Sequence, residues 1–302
     1  MEGLGQMTQK FALWSIPISI AVLALKLLAW WLTGSVALLS DAMESTVNVV
    51  AALLAFFAVR VASKPPDENH PFGHKKAEYL SAVVEGVLIV LAAFLIIREA
   101  VLALPDPHLE DAPLLGIVIN IIATGVNGVW AYLLLKIGRR EGSPALQASS
   151  RHIFTDVITS IGVVVGLLLA LVTGWLILDP ILAILVALNI LWEGWKVIRA
   201  SVDGLMDVSL SDYDLQVVSS TIENNMGAAL ECHDLKGRRS ANIIFVEFHL
   251  VVDGAMSVSA AHDICNEVEL ALERVYPGSV FVIHLEPDDE LKGNGAKPSQ
   301  VS

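Results

Sequence analysis

The chain has 302 residues, of which 55% are hydrophobic and only 17% charged, against roughly 25% charged in an ordinary soluble domain; its mean hydropathy is +0.64. That composition excludes a wholly soluble protein and points to a lipid bilayer as part of its solvent. The net charge of −13, from 19 Lys and Arg against 32 Asp and Glu, excludes a nucleic-acid surface built on counterion release. Two cysteines, Cys232 and Cys265, supply no disulfide framework and no C-x-x-C pair, so both read as idle thiols.

Charge and hydropathy divide the chain unevenly. Residues 1–208 hold 13 basic and 17 acidic side chains, residues 209–302 hold 6 and 15, and the apolar runs stop near Arg199. The pattern predicts a membrane domain over 1–208, an acidic soluble domain over 209–290 and a disordered tail over 291–302, with Lys292, Gly293, Gly295, Lys297 and Pro298. A spanning helix needs about 20 mostly apolar residues, and six segments qualify: roughly 12–33, 36–59, 80–104, 114–138, 148–172 and 177–199. Residues 11–25 imitate a signal-peptide core, but the apolar run continues through Trp30 and Trp31 without a small-residue cleavage site, so it reads as a retained span. The 34–35, 105–113 and 173–178 loops contain no Lys or Arg, whereas the alternate segments hold Lys10; Arg60, Lys64, Lys75 and Lys76; Arg139 and Arg140; and Arg199. Basic side chains stay on the cytoplasmic side, which predicts cytoplasmic termini.

Ionisable groups inside spans are costly and are functional candidates. In the second span Asp41, Glu44 and Asn48 recur at three- and four-residue steps and so share a helical face. The loop that follows reads Asp67-Glu-Asn-His70-Pro-Phe-Gly-His74; one carboxylate and two imidazoles plus water make a plausible zinc shell. In the fifth span His152 and Asp156 stand at i, i+4, just after a helix start marked by Ser143 and Pro144. Facing helices carrying Glu44, Asn48, His152 and Asp156 offer two carboxylates, an imidazole and an amide oxygen, the donor set of a four-coordinate transition-metal site. The structural alternative is hydrogen bonding between helices. Lys26, Glu85, Arg98, Glu99 and Glu193 are scattered singly and read as structural, long side chains near helix ends snorkelling to the headgroups. Asp179, before Pro180, reads as a helix start.

The soluble domain predicts a helix over 211–228 capped at Ser211/Asp212, strands near 230–236 and 242–252, a helix near 257–276 and a strand at 280–286 ended by Pro287. Period-2 alternation puts Ile244, Val246, Phe248, Leu250 and Val252 on one face and Glu247 and His249 on the other; Val282, His284 and Glu286 likewise point together. With His233 on the first strand and His262 on the second helix, four histidines fall within about 50 residues, a density that suggests metal binding.

Six spans, the D-x-x-H-x-x-x-H loop followed by Lys76-Ala77-Glu78, the His152-x-x-x-Asp156 pair and an acidic αββαβ tail together resemble the cation diffusion facilitator family over nearly the whole chain. The resemblance implies an α-helical membrane protein with a small α+β, ferredoxin-like and metallochaperone-like cytoplasmic domain. It implies a homodimer in the inner membrane that exports a divalent metal against inward proton flow, by alternating access around a tetrahedral site between spans two and five. His152 and Asp156 match the fifth-span half of that site; Glu44 and Asn48 occupy the second-span half, where zinc or iron exporters usually carry Asp-x-x-x-Asp or His-x-x-x-Asp. With Asn48 in place of a carboxylate the bare site holds −2 rather than −3, so Zn²⁺ and Fe²⁺ suit the donors while Mn²⁺ and Co²⁺ stay open. By position, Asp67, His70 and His74 match a loop metal site. His233, His249, His262, His284 and Glu286 match a cytoplasmic binuclear site at which metal regulates transport, and Lys76 and Asp207 match a charge pair at the dimer. Of the eight histidines only His108 falls outside these positions, and Asp41 is a possible outer relay.

Two other classes stay open on the residues alone. A membrane metalloenzyme lacks support from any H-E-x-x-H, nucleophile elbow or P-loop. A metal sensor needs only the soluble site, so the ligands at span depth favour translocation.

Overall fold

A computed structural model describes residues 2–33, 36–105, 114–175, 177–293 and 295–296. The chain divides into two compact units, one ending at Leu205 and one beginning at Met206.

The first unit is made of six long helices: α1 (Glu2–Thr33), α2 (Val36–Ala62), α3 (Ala77–Ala103), α4 (Leu114–Arg140), α5 (Pro144–Thr173) and α6 (Leu178–Leu205). Among the described residues, four of them, α1 to α4, carry a stretch long and apolar enough to cross a membrane. Helix α5 occupies the middle, touching α2, α3, α4 and α6, while α1 lies against α2 and α4. Interfaces are lined by small side chains, among them the buried Ala29, Ala55, Ala93, Ala131 and Ala148. Lipid tails are as apolar as leucine, so helices associate through close backbone approach rather than through burial of oil from water. At the α3–α6 contact a Cβ added at Gly86 would come within 2.7 Å of Ile198 Cγ1, and one at Gly194 within 2.9 Å of Val90 Cγ2. Large apolar side chains such as Phe94, Leu95, Val129 and Trp192 point outward, the reverse of a soluble fold. The start of α5 is fixed by Ser143, whose hydroxyl accepts from Leu146 N (3.3 Å) and donates to Glu78 Oε2.

The second unit follows the predicted order: α7 (Asp212–Asn225), β1 (Glu231–Ser240), β2 (Ile243–Val252), α8 (Val258–Val275) and β3 (Val280–Pro287). Both helices open on a serine cap, with Ser211 Oγ accepting from Asp214 N and Ser257 Oγ from Ala260 N. The sheet order is β1-β2-β3; β1 and β2 are antiparallel and β2 and β3 parallel, the parallel pair being joined by the crossover helix α8, as parallel strands require. Ile244, Val246, Phe248 and Leu250 are buried against Val218 and Ile222 of α7 and Ile264, Val268 and Leu272 of α8. The alternation expected for β2 is therefore present, with Glu247 exposed.

The expected tail from residue 291 needs correcting over its described part. Cys232 and Ala296 exchange two backbone hydrogen bonds (2.8 and 2.9 Å), and the buried Glu231 carboxylate accepts from Lys292 N (3.2 Å) and Gly293 N (3.0 Å). The outer edge of β1 and a buried carboxylate both need donors, and this segment supplies them. Lys297 and Pro298 lie outside the described residues.

Candidate metal sites

The helical unit gathers polar side chains around Asp156. Its Oδ2 accepts from Asn127 Nδ2 of α4 (2.7 Å), from Asn48 Nδ2 of α2 (3.2 Å) and from Lys26 Nζ of α1 (3.4 Å). All four side chains are buried, Lys26 at 1% exposure. Asp156 Oδ1 and, one turn earlier on α5, His152 Nδ1 are buried and make no hydrogen bond. Two atoms that can donate to a metal thus stand together on one face of the central helix. Asn48 meets Asp156 directly, and His152 stands one turn from Asp156 on α5. Glu44 and Asp41 fall on α2, but their side chains lie outside those described.

Two participants escaped the reading of the sequence. Lys26 does not snorkel: it sits seven residues, about 10 Å of helix, from the end of α1, and its charge is met by Asp156 instead. That depth was the available signal. Asn127 stands at the middle of α4, where an amide has no water to turn to and must find a protein acceptor. Glu85 of α3 is also fully buried rather than snorkelling, with Ser149 of α5 donating to its Oε1 at 3.1 Å. Glu193, by contrast, is partly exposed and pairs with Arg151 (3.0 Å) and Lys196 (2.6 Å).

The loop between α2 and α3 brings Asp67, His70 and His74 within reach of a single ion. Asp67 Oδ1 accepts from Asn69 N (3.0 Å) and His70 N (2.7 Å), a turn closed by its own side chain. His70 Nδ1 lies 3.1 Å from the same oxygen and His74 Nε2 3.2 Å from Oδ2. The backbone donation from His70, reinforced by the two imidazoles, holds the Asp67 carboxyl below its ordinary value. Gly73, at φ +81°, makes the sharp turn that returns His74 to Asp67.

In the soluble unit the register places His233, His249 and His284 side by side across the three strands. Their rings step across the sheet at centroid separations of 5.4 and 4.8 Å. Glu286, two residues beyond His284, lies 2.7 Å from His249 Nδ1 and 3.0 Å from His233 Nε2. His233, His249 and Glu286 form the compact set, while His284 is largely exposed, 3.8 Å from Glu286. On its other side His233 Nδ1 meets Glu231 Oε1 at 3.2 Å. A bulge follows His233 in β1, with Asp234 at φ +53°; its carboxylate, held low first by Lys292 Nζ at 2.6 Å, flanks the site. His262 is exposed on α8 and, among the described residues, stands outside this cluster.

Of the expected charge pair, Lys76 donates to Leu205 O (3.2 Å) at the end of α6, and Asp207, at φ +57°, accepts from Arg238 (3.0 Å). His108 lies outside the described residues. Both cysteines are buried and free; burial pushes the Cys232 thiol up to about 12, which removes its nucleophilic form at neutral pH.

The family model described as the cation efflux transmembrane domain matches residues 12–206, and the one described as the cation efflux protein cytoplasmic domain matches residues 210–288. An uncharacterized transporter of Synechocystis sp. is 42% identical, over 95% of this chain and 93% of its own length. The cation-efflux pump FieF of Escherichia fergusonii is 29% identical, and that of Escherichia coli 28% identical, each over 98% of both chains. Two domain matches that share out almost the whole chain, with relatives aligned nearly end to end, make this protein a member of the cation diffusion facilitator family and a divalent-cation efflux transporter.

Proposed function

We propose that the chain exports Zn²⁺ or Fe²⁺ from the cytoplasm in exchange for protons, with Glu44, Asn48, His152 and Asp156 as the ligands that carry the ion across. The observation that supports this is the juxtaposition of two buried, unpartnered atoms, Asp156 Oδ1 and His152 Nδ1, on the helix that touches four others. A buried acceptor without a donor costs on the order of 1–3 kcal/mol, a cost that a metal ion removes. Imidazole with carboxylate suits Zn²⁺ and Fe²⁺; the Asn48 amide keeps Mn²⁺ and Co²⁺ as alternatives within the same reading.

The chemistry of release follows from the ligand types. Imidazole and carboxylate bind metal only when deprotonated, so protons arriving from outside compete with the ion for the same atoms. Metal and proton then occupy the site by turns, and alternating access converts a proton gradient into efflux. Asp67, His70 and His74 form a second metal site in the loop, and Asp41 is an outer relay. His233, His249, His284 and Glu286 form the cytoplasmic site at which metal tightens a homodimer and raises transport. His262, exposed on α8, is a further ligand of that cytoplasmic site in this reading. The same reading puts the protein in the inner membrane with both termini in the cytoplasm and Lys76 and Asp207 paired at the dimer.

Uptake of Zn²⁺, Fe²⁺, Mn²⁺ and Co²⁺ into proteoliposomes under an imposed pH gradient tests it. One ion is expected to move, to depend on the gradient and to be lost with Asp156→Ala. Asn48→Asp restores the third carboxylate and is expected to shift preference among the four ions. Metal bound by the soluble unit with no ion moved would overturn transport by this site and favour a sensor.

A further inference from the structure

Among the described residues Lys26 is the cation in contact with Asp156, and neither the ligand set nor the exchange of ion for proton gives it a part. We propose that the Lys26 ammonium is a tethered rival of the transported ion: the two take turns on the Asp156 carboxylate, and the return of Lys26 helps to expel the metal. The proposal rests on the reading of Asp156 as a transport ligand.

Three features carry it. The ammonium is walled from solvent, at 1% exposure, and deep in α1, so it cannot discharge its solvation need at the headgroups. It meets Asp156 Oδ2 at 3.4 Å, the outer edge of a hydrogen bond, whereas Asn127 grips the same oxygen at 2.7 Å and Asn48 at 3.2 Å. When Lys26 moves off, both amides still satisfy Oδ2, so its departure does not orphan that acceptor. The third feature is charge. Glu44 and Asp156 bring −2 to the ligand set, and Lys26 reduces this to −1. A divalent ion joining with the ammonium in place would leave a net positive site among apolar helices, where unbalanced charge is costly. Ion entry is therefore coupled to withdrawal of Lys26 from Oδ2. Asp156 Oδ1, which makes no hydrogen bond, is the atom through which the ion gains its first hold.

A resident rival weakens ion binding and speeds ion release. Lys26→Met is expected to lower the apparent KM for Zn²⁺ by about tenfold or more, the scale on which groups beside a metal shell act, and to lower kcat as release slows. Lys26→Arg keeps the charge and is expected to stay close to wild type in both. Uptake in proteoliposomes reads only the translocating site, so metal bound by the soluble unit does not enter. A structural ion pair gives the opposite split: Lys26→Met with KM unchanged or raised overturns the proposal. If Lys26→Met fails to fold, purification in Zn²⁺ decides, because a rival's removal leaves a site that metal fills; recovery of folded protein by Zn²⁺, absent in Lys26→Met/Asp156→Asn, supports the proposal, and failure to recover it overturns it. Asp156→Ala separates the two levels. If that variant transports normally, the assignment of the site itself falls; if it is dead while Lys26→Met leaves KM unmoved, only the rivalry falls.

Discussion

The α5 site and the sheet site use the same side-chain chemistry, imidazole with carboxylate, in opposite surroundings. On α5 a single carboxylate oxygen is shared by three nitrogen donors from three other helices, all of them buried. On the sheet, three imidazoles stand side by side across strands, and one carboxylate spans two of them beside solvent. The strands hold His233, His249 and His284 in register through backbone hydrogen bonds, so the ligands are positioned before any ion arrives. The helical site instead has its carboxylate engaged with an ammonium, so under the proposed reading an ion enters by rearranging charge. A preformed half-exposed site suits reading a concentration; a buried site with a resident competitor suits letting go.

The largest expected effect falls where the surroundings are driest. Asp156→Ala is expected to reduce proteoliposome uptake by roughly 100-fold or more, and to destabilise the helical unit by about 3–5 kcal/mol, because it removes the carboxylate that faces the buried Lys26 charge. Asp156→Asn keeps the shape and the acceptor, and is expected to be equally inactive but less destabilised, measured by thermal aggregation in detergent. If both variants lose stability alike, the Lys26 contact is not what the carboxylate balances, and the contrast between the two sites weakens.

Glu286→Ala makes the matching cut in the sheet. Metal affinity of the cytoplasmic site is expected to fall about 10–100-fold, read by titration with a competing chelator. Uptake at saturating metal is expected to persist, since a weakened regulatory site still fills when metal is abundant. Loss of saturating uptake would mean that the sheet site is not merely a reader and would erase the division of labour.

The two regions also differ in how far the sequence disclosed them. Strand alternation has a period of two and one buried face, so Ile244 through Leu250 announced both the core and the opposite side that holds His249. Cross-strand register brought His233 and His284 to the same rung, which spacing along one strand cannot reveal. In the helices the i, i+4 pair His152 and Asp156 was legible because both residues lie on one element. Lys26 and Asn127 were not, because each is a lone polar residue on its own helix, and only packing decides what it meets. The segment after residue 290 misled for a related reason: its Gly and Lys content is that of a tail, yet its backbone donors answer Glu231, a need visible only in three dimensions.

A smaller effect concerns pH. Asp214 lies partly buried, which alone raises its carboxyl, but Ser211, Tyr276 Oη (3.0 Å) and Arg239 (2.9 Å) bond the ionised form and bring it below its ordinary value. A carboxyl lowered in the folded state stabilises above its unfolded value of about 3.9 and loses that contribution as pH falls through its folded value. Tyr276→Phe is therefore expected to cost about 0.5–1 kcal/mol at pH 7 and progressively less below pH 4, followed by hydrogen exchange in α7 and α8. A penalty constant with pH would show that Tyr276 acts by packing alone.

The smallest effect tests how much the solvent side contributes to the sheet site. Lys292 meets Asp234 at 2.6 Å with both side chains near half exposed, a pair of the kind that water and salt largely screen. Its backbone N–H, however, donates to Glu231, which in turn contacts His233. Lys292→Ala keeps that N–H and deletes only the exposed charge, so metal affinity is expected to change by no more than about twofold, and less at high salt. Truncation before residue 291 removes the donations of Lys292 and Gly293 together and leaves Glu231 buried without them, so it is expected to exceed Lys292→Ala severalfold on the same titration. Equal effects from the two would assign the support of His233 to the exposed ion pair, and the ordered segment would then matter for its charge rather than for its backbone.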